Sequence, residues 1–206
     1  MKRAPWIAGA AVTALVAAGA ITYAVADGED SGMKAPAAGS PDAGFARDMA
    51  VHHQQAVEMS YIVRDRTTNE EIRRLAYDIS QTQANQRGML LGWLDLWELP
   101  KVSSKAPMAW MDMAGMASGK DGALMPGMAT NTEMTKLGKL SGKQAEVFYL
   151  QLMTKHHQGG IHMAQGCVER CEVGVEKRLA QGMVNAQESE ISLMAGMLKE
   201  RGATAS

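Results

Sequence analysis

The sequence predicts an all-α protein in which two copies of one helical hairpin form a four-helix bundle. Two observations carry this prediction. The chain repeats itself at a single offset of 104 residues, and the apolar residues of each repeat recur with the period of about 3.6 residues that is typical of an α-helix. A length of 206 residues leaves room for one well-buried domain and an export segment, but not for two large domains.

The N-terminus has the pattern of an export signal, which makes residues 1–26 a signal peptide or an N-terminal membrane anchor. Lys2 and Arg3 precede an uncharged stretch that continues to Ala26, and this charge asymmetry places the rest of the chain outside the cytoplasm. The stretch is about as long as the roughly 20 residues of a membrane-spanning apolar helix, whereas Ala24-Val25-Ala26 forms a cleavage pattern. Both outcomes remain open, and both predict an extracytoplasmic protein.

The next segment, residues 27–43, is predicted to be a flexible tether. It is rich in Gly, Ala, Pro and Ser and contains too few large apolar side chains to build a core. The folded part of the chain is therefore expected to cover residues 44–201.

The repeat begins with a motif of methionine and paired histidine and continues through a second helix. Its first motif recurs residue by residue: Met49, His52, His53, Gln54 and Met59 correspond to Met153, His156, His157, Gln158 and Met163. The same offset aligns Leu75, Ala76, Ile79, Gln83, Leu90 and Leu94 with Leu179, Ala180, Met183, Gln187, Met194 and Leu198. Each repeat therefore contains two helices, which gives a first hairpin over residues 44–98 and a second over residues 144–201.

Polar side chains lie on the apolar faces of all four predicted helices. At about 100° per residue, the first histidine pair falls in the same arc as Phe45, Ala56 and Val63. Burial without a partner would cost about 1 to 3 kcal/mol for each such group. We therefore expect either a hydrogen-bonded core network or a metal site, and the inward-facing set is His52, His53, Gln83, Gln86, His156, His157, Gln187 and Glu190.

The segment between the hairpins, residues 99–143, is predicted to be a long crossover. Its length suits a connection that lets the second hairpin dock in a ferritin-like manner rather than after a short turn. Its composition is unusual for a linker, because it contains seven methionines: Met108, Met111, Met113, Met116, Met125, Met128 and Met134. Two interpretations stay open, an apolar cover on one end of the bundle and shallow Cu(I) sites in a mobile loop.

The combination of imidazole and thioether groups favours copper over other metals. Cu(I) prefers these soft ligands, and imidazole also serves Cu(II). A di-iron centre would need Glu-x-x-His motifs, which the chain lacks, and zinc would leave the methionines without a role. We expect Gln83 and Gln187 to orient the imidazoles from a second shell, and Gln86 and Glu190 are further second-shell or ligand candidates. The candidate metal ligands are Met49, His52, His53, Met59, Met153, His156, His157 and Met163.

The chain has two cysteines, Cys167 and Cys171, four residues apart near the end of the third long helix. One helical turn brings their Cα atoms to about 6 Å, which is within disulfide range. A local disulfide is the expectation in an oxidising compartment, and copper ligation by the thiolates is the alternative.

The charge and motif content narrow the function classes. A net charge of -1 provides no strong field to gather nucleic acid, and no Ser-His-Asp pattern, phosphate-binding loop or nucleophile elbow is present. An enzyme is therefore the weaker class. The leading hypothesis is copper sequestration, delivery or resistance outside the membrane, and the alternatives are a metal-free interaction or stress protein with a Met-rich binding loop and a copper-dependent redox enzyme.

These motifs resemble the domain of unknown function 305 family. The resemblance rests on Phe45 to Met49 followed by the first histidine pair, and on Met125 to Thr130 followed by the second pair, and it covers about residues 44–201. It implies a ferritin-like fold, a bacterial periplasmic or extracytoplasmic location and, as in the copper-binding members linked to copper resistance, metal binding by the eight histidines and methionines named above.

Overall fold

A computed structural model describes residues 34–113 and 119–205, and within these ranges the chain is entirely helical apart from turns and loops. The α-helices are α1 (Pro41–Arg64), α2 (Glu70–Leu96), α3 (Asn131–Lys139), α4 (Gly142–Arg170) and α5 (Gly174–Glu200). Single turns of 3-10 helix occur at Ala109–Met111 and Lys120–Gly122. The all-α prediction is confirmed, and the four long helices lie in the two predicted hairpins.

Two helical features differ from the sequence-based expectation, namely the start of α1 and the presence of α3. The first long helix begins inside the stretch predicted as a tether, because the Ser40 side chain accepts a hydrogen bond from the Ala43 amide at 3.2 Å and Pro41 occupies the first turn. The crossover contains the short helix α3, which the sequence analysis did not predict. It begins with a capping box in which Thr130 and Glu133 bond each other's backbone amides.

The long helices pack as two hairpins, α1 against α2 and α4 against α5, and the hairpins meet where α1 contacts α4. The apolar interior forms two clusters, and each cluster draws buried residues from all four long helices. Neither hairpin therefore has a complete core by itself. Each one buries its apolar stripe only against the other.

The two ends of the α1–α4 contact are closed by equivalent carboxylates. Asp42 Oδ1 accepts hydrogen bonds from the amides of Glu172 and Val173 at 2.9 and 2.8 Å, so the start of α1 holds the turn between α4 and α5. At the other end, Glu146 accepts from Thr67 Oγ1 at 2.6 Å and from Arg201 at 2.7 Å. Asp42 and Glu146 are related by the repeat offset. Each repeat therefore holds the hairpin turn of the other.

The crossover packs onto the bundle. Gln55 exchanges two hydrogen bonds with the backbone of Ala129, at 2.8 and 2.7 Å. Four crossover methionines belong to one apolar cluster and are almost fully buried, namely Met108, Met111, Met125 and Met128. Met111 packs directly on Gly166, where a Cβ would lie 2.4 Å from its Cε. The structure thus places these four methionines in the covering role, while Met116 lies outside the described residues.

The two cysteines form the local disulfide that the sequence predicts. The sulfurs of Cys167 and Cys171 are bonded to each other in the structure, and their Cα atoms are 4.8 Å apart.

Within residues 34–113 and 119–205, no helix has the length and hydropathy needed to cross a membrane. The predicted signal peptide or anchor, residues 1–26, lies outside the described residues.

The approach of the crossover to α4 gives a test of the packing. A Cβ at Gly159 would lie 2.0 Å from the carbonyl oxygen of Pro126, so Gly159→Ala must displace either the helix or the crossover. We expect it to lower the free energy of unfolding by about 1 to 3 kcal/mol. Urea denaturation followed by circular dichroism measures this change.

Gly182→Ala is the matched control for that substitution. Gly182 also lies inside a long helix, but it is exposed and a Cβ there meets no atom within 4 Å. Alanine should stabilise the helix at this site by roughly 0.5 to 1 kcal/mol. Equal effects of the two substitutions would contradict the packing described for Gly159.

The raised pKa of Glu176 predicts that stability falls as the pH rises from about 4.5 to about 9. Burial first, and then the neighbouring carboxyl of Asp42, raise the pKa of Glu176 from 4.5 to about 9. Between these values the folded protein holds a proton that the unfolded chain releases, so stability falls as the pH rises, by at most about 1.4 kcal/mol per pH unit.

Glu176→Gln should remove this pH dependence, because the amide has nearly the same shape and does not ionise. We expect unfolding free energies at pH 6 and 8.5 to differ less for the variant than for the wild type, with the variant the more stable protein at pH 8.5. The same decline in both proteins would show that the Glu176 carboxyl does not hold its proton in the fold.

Candidate metal centre

A polar layer crosses the bundle between the two apolar clusters. On α1, Ala50 belongs to one cluster and Ala56 to the other, and the first histidine pair lies between them. The other long helices change cluster in the same way, α2 between Ile79 and Leu90, α4 between Met153 and Met163, and α5 between Met183 and Met194. The layer itself contains His52, His53, Gln83, His156, His157 and Gln187, all of which are buried.

The four imidazoles meet at the contact between α1 and α4. The His52 and His156 rings are in close contact, with centroids 3.8 Å apart and planes tilted by 31°, and each has its sequence neighbour further out, at 6.5 Å for His53 and 6.3 Å for His157. All four side chains have 0% exposure. The structure therefore brings both halves of the repeat together in one water-excluded layer.

Oxygen acceptors hold three of the rings in a defined orientation. His53 Nε2 donates to Gln86 Oε1 at 2.8 Å, and His157 Nε2 donates to Glu190 Oε2 at 2.6 Å. His156 Nε2 donates to the main-chain carbonyl of His52 at 3.0 Å. Because these oxygens accept, each of the three rings carries a proton on Nε2, and in the neutral form of such a ring the lone pair is on Nδ1.

The Nδ1 atoms are buried and have no hydrogen-bond partner in any of the four rings. For His53, His156 and His157 this leaves a lone pair without a donor inside the protein. His52 makes no hydrogen bond of good geometry from either ring nitrogen, although the nearby Pro126 carbonyl favours its protonated form. Buried lone pairs of this kind are what a metal ion would satisfy, so the residues present fit a metal.

Three of the imidazoles, His52, His53 and His156, are strongly biased toward the neutral form that metal binding needs. Burial, followed by the charges of the neighbouring histidines, lowers the pKa of His52 from 6.5 to about 3. Burial also lowers the pKa of His53 to about 3, against the opposing effect of its bond to Gln86. The pKa of His156 is lowered well below 6.5, again mainly by burial. A neutral imidazole keeps its lone pair available at all physiological pH values.

The predicted methionines flank the histidine layer on both sides. Met49 and Met163 lie in one apolar cluster, and Met59 and Met153 lie in the other. All four have 0% exposure. Each cluster thus contains one of these four methionines from each repeat, so thioethers are present on both sides of the imidazoles.

The ligand atoms do not converge on a single three-histidine centre. In the described part of the chain, His, Cys, Asp and Glu side chains bring three ligand atoms within 4.8 Å of one another only at Cys167, Cys171 and Glu176, where the disulfide occupies both sulfurs. The histidine layer therefore does not bring three imidazole nitrogens together at one point.

The side chains that bond the histidine rings are not the two glutamines that the sequence analysis favoured for this role. Gln86 and Glu190, rather than Gln83 and Gln187, bond the histidine rings. Both nitrogen and oxygen of the Gln83 amide, and the oxygen of Gln187, are buried without a partner. The repeat offset relates Gln83 to Gln187 just as it relates Gln86 to Glu190, so the sequence did not distinguish the two pairs; the pair that contacts the rings lies 33 residues after each histidine.

The low pKa values predict that acid destabilises the metal-free protein. An unfolded histidine takes up a proton near pH 6.5, whereas the buried rings do not do so above about pH 3. The contribution of these two rings to stability is therefore fully present above pH 6.5 and falls as the pH decreases below it, by about 2 kcal/mol at pH 5 for each of His52 and His53.

This measurement is best made in the Glu176→Gln background, because Glu176 contributes a trend of opposite sign. Urea unfolding of the metal-free variant should show decreasing stability from pH 7 to pH 5, with proton uptake on unfolding. Stability that stays constant over this range would mean that the rings are protonated in the fold.

Comparison with protein families identifies the chain's relatives. The model of the family described as Domain of unknown function (DUF305) matches residues 42–198, which contain all four long helices apart from the first and last few residues. No curated protein matches the chain.

Solved structures show the same fold. A DUF305 protein of Streptomyces coelicolor that is thought to be secreted is 73% identical, with a TM-score of 0.77, and the match covers 82% of this chain and 99% of that chain. A DUF305 fragment from Deinococcus radiodurans is 29% identical, with a TM-score of 0.65 and coverage of 78% and 96%.

CopM is a more distant structural relative. Its Cu(I)-bound form is 18% identical and its Cu(II)-bound form 24% identical, and both match with a TM-score of 0.59 over 77% of this chain and 96% of that chain. At this identity the likeness shows a common fold.

Proposed function

Because the chain belongs to the DUF305 family, we propose that it is an extracytoplasmic copper-binding protein that sequesters or delivers copper and supports copper resistance. In this proposal the two hairpins form a ferritin-like bundle, and copper binds in the histidine layer between α1 and α4. The ligands are His52, His53, His156 and His157 with the flanking thioethers of Met49, Met59, Met153 and Met163.

The observation that carries the proposal is the set of buried Nδ1 atoms without a partner. Three rings donate from Nε2 to oxygen, which directs their lone pairs into the protein interior. A core designed only for packing would fill these positions with apolar side chains, because an unsatisfied buried nitrogen costs about 1 to 3 kcal/mol. A bound metal replaces this cost with a favourable interaction.

Copper fits this donor set better than other common metals. Buried thioethers and neutral imidazoles are soft or intermediate ligands, which Cu(I) prefers, and no carboxylate lies among the proposed ligands to favour Mg²⁺ or Ca²⁺. CopM, which shares the fold, exists in Cu(I)-bound and Cu(II)-bound forms, and this supports the assignment.

The location follows from the N-terminal pattern and from a relative. The uncharged stretch after Lys2 and Arg3 predicts export, and the Streptomyces coelicolor relative, at 73% identity, is thought to be secreted. Whether residues 1–26 are removed or remain as an anchor does not change the compartment of the histidine layer.

A metal-free interaction protein with a Met-rich binding loop is less favoured by the structure. Met108, Met111, Met125 and Met128 are at most 8% exposed, so their thioethers are engaged in packing and are not presented to a partner. A copper-dependent redox enzyme has no separate observation in its favour.

Removing the imidazoles tests the proposal. The double variant His53→Ala/His157→Ala should weaken Cu(I) binding by on the order of 100-fold or more, because each half loses an imidazole ligand. Competition with a chromophoric Cu(I) chelator measures the affinity, and circular dichroism shows whether the variant remains folded. His162→Ala is the matched control, since His162 is exposed and should leave the affinity unchanged.

Met→Leu substitutions at Met49 and Met163 provide a second arm that preserves the packing. Leucine has nearly the same volume as methionine but lacks the sulfur, so Cu(I) affinity should fall while the fold is kept. X-ray absorption of the Cu(I) protein should show both nitrogen and sulfur ligands. Folded variants that bind Cu(I) as tightly as the wild type in both arms would refute the proposal.

A further inference from the structure

The two halves of the histidine layer differ in the group that accepts a hydrogen bond from the outer histidine ring. His53 donates to the neutral amide of Gln86 at 2.8 Å, whereas His157 donates to the carboxylate of Glu190 at 2.6 Å. These partners occupy the same position in the two repeats. The duplication has therefore kept the hydrogen bond and changed only the charge of its acceptor.

We propose that this difference gives the two halves different preferences for the oxidation state of copper, with Glu190 directing Cu(II) to the His157 half and Gln86 reserving the His53 half for Cu(I). The inference rests on the proposed copper function. It assigns to Gln86 and Glu190 the role of positioning residues that act through the imidazoles.

The negative charge of Glu190 would act on a bound ion through the His157 ring, which it contacts. In the described part of the chain its only ion-pair contact within 4.0 Å is with His157, so no Lys or Arg side chain there neutralises it. The His157 side chain has 0% exposure and that of Glu190 has 24%. The carboxylate thus lies at the edge of a buried layer, where its field acts on the ring with less screening than at an open surface.

A carboxylate behind the ring changes both the ligand and the charge balance. Accepting from Nε2–H makes the imidazole a more basic donor at Nδ1, and basic nitrogen favours Cu(II) over Cu(I). The negative charge also stabilises a dication more than a monocation. The amide of Gln86 holds its ring in the same orientation without adding charge, so the His53 half keeps the neutral surroundings and buried thioethers that suit Cu(I).

Exchanging the two acceptors tests this inference with little change in shape. In Glu190→Gln we expect Cu(II) affinity at the His157 half to fall about tenfold more than Cu(I) affinity, which raises the reduction potential of that half by about 59 mV. In Gln86→Glu the His53 half should gain Cu(II) affinity by a similar factor. The double variant Gln86→Glu/Glu190→Gln should restore one half of each kind.

Separate competition titrations with Cu(I) and Cu(II) chelators give the two affinities, and electron paramagnetic resonance counts the Cu(II) sites and reports their ligands. A purely structural role for Glu190 would weaken both oxidation states by the same factor. That result, or no change in either state, would overturn the inference while leaving copper binding in place. Wild-type protein that binds neither ion in the histidine layer would overturn the proposed function as well.

Discussion

The close contact between the His52 and His156 rings is the interaction on which the arrangement of this protein depends. The two rings lie 3.8 Å apart where the two hairpins meet, and His156 bonds the backbone of α1 through the His52 carbonyl. A polar contact of this kind in a buried layer fixes the register between α1 and α4, because a shift of one turn would leave several imidazole nitrogens opposite apolar side chains. With this register fixed, the same residues of the four long helices meet in each apolar cluster, and the crossover packs on a surface of fixed shape.

The duplication supplies the rest of this register by symmetry. Asp42 and Glu146 each hold the hairpin turn of the other repeat, so the two ends of the α1–α4 contact are fixed by equivalent bonds. The symmetry is broken where the chain is not duplicated. The crossover contributes unequally to the two clusters. It places Met108, Met111, Met125 and Met128 in one cluster, whereas Ala129 and Leu137 belong to the other, against which Met134 packs. A fold built from two equal halves thereby acquires two different ends.

The long helices and the inward-facing histidines could be predicted from the sequence, because periodicity and a repeated motif report directly on which face of a helix is buried. Other features depend on geometry that the periodicity does not contain. The α3 helix is short and includes two threonines and a glycine among its nine residues, so its helical signal is weak, and its capping box and packing stabilise it. The choice of Gln86 over Gln83 as a ring partner is decided by side-chain reach across two helices. The Met-rich composition of the crossover allowed two interpretations, and burial in the completed fold distinguishes them.

Under the proposed function, the histidine layer would link stability to metal binding. Four imidazoles and two glutamine side chains occupy positions that apolar residues would fill more favourably, and several of their polar atoms have no partner. The fold therefore carries a local destabilisation that packing on both sides must offset. An ion that satisfies the Nδ1 atoms binds only the folded state, so binding adds its free energy to that of folding. Because the rings belong to both hairpins, this stabilisation acts on the contact between the hairpins, where neither half has a core of its own.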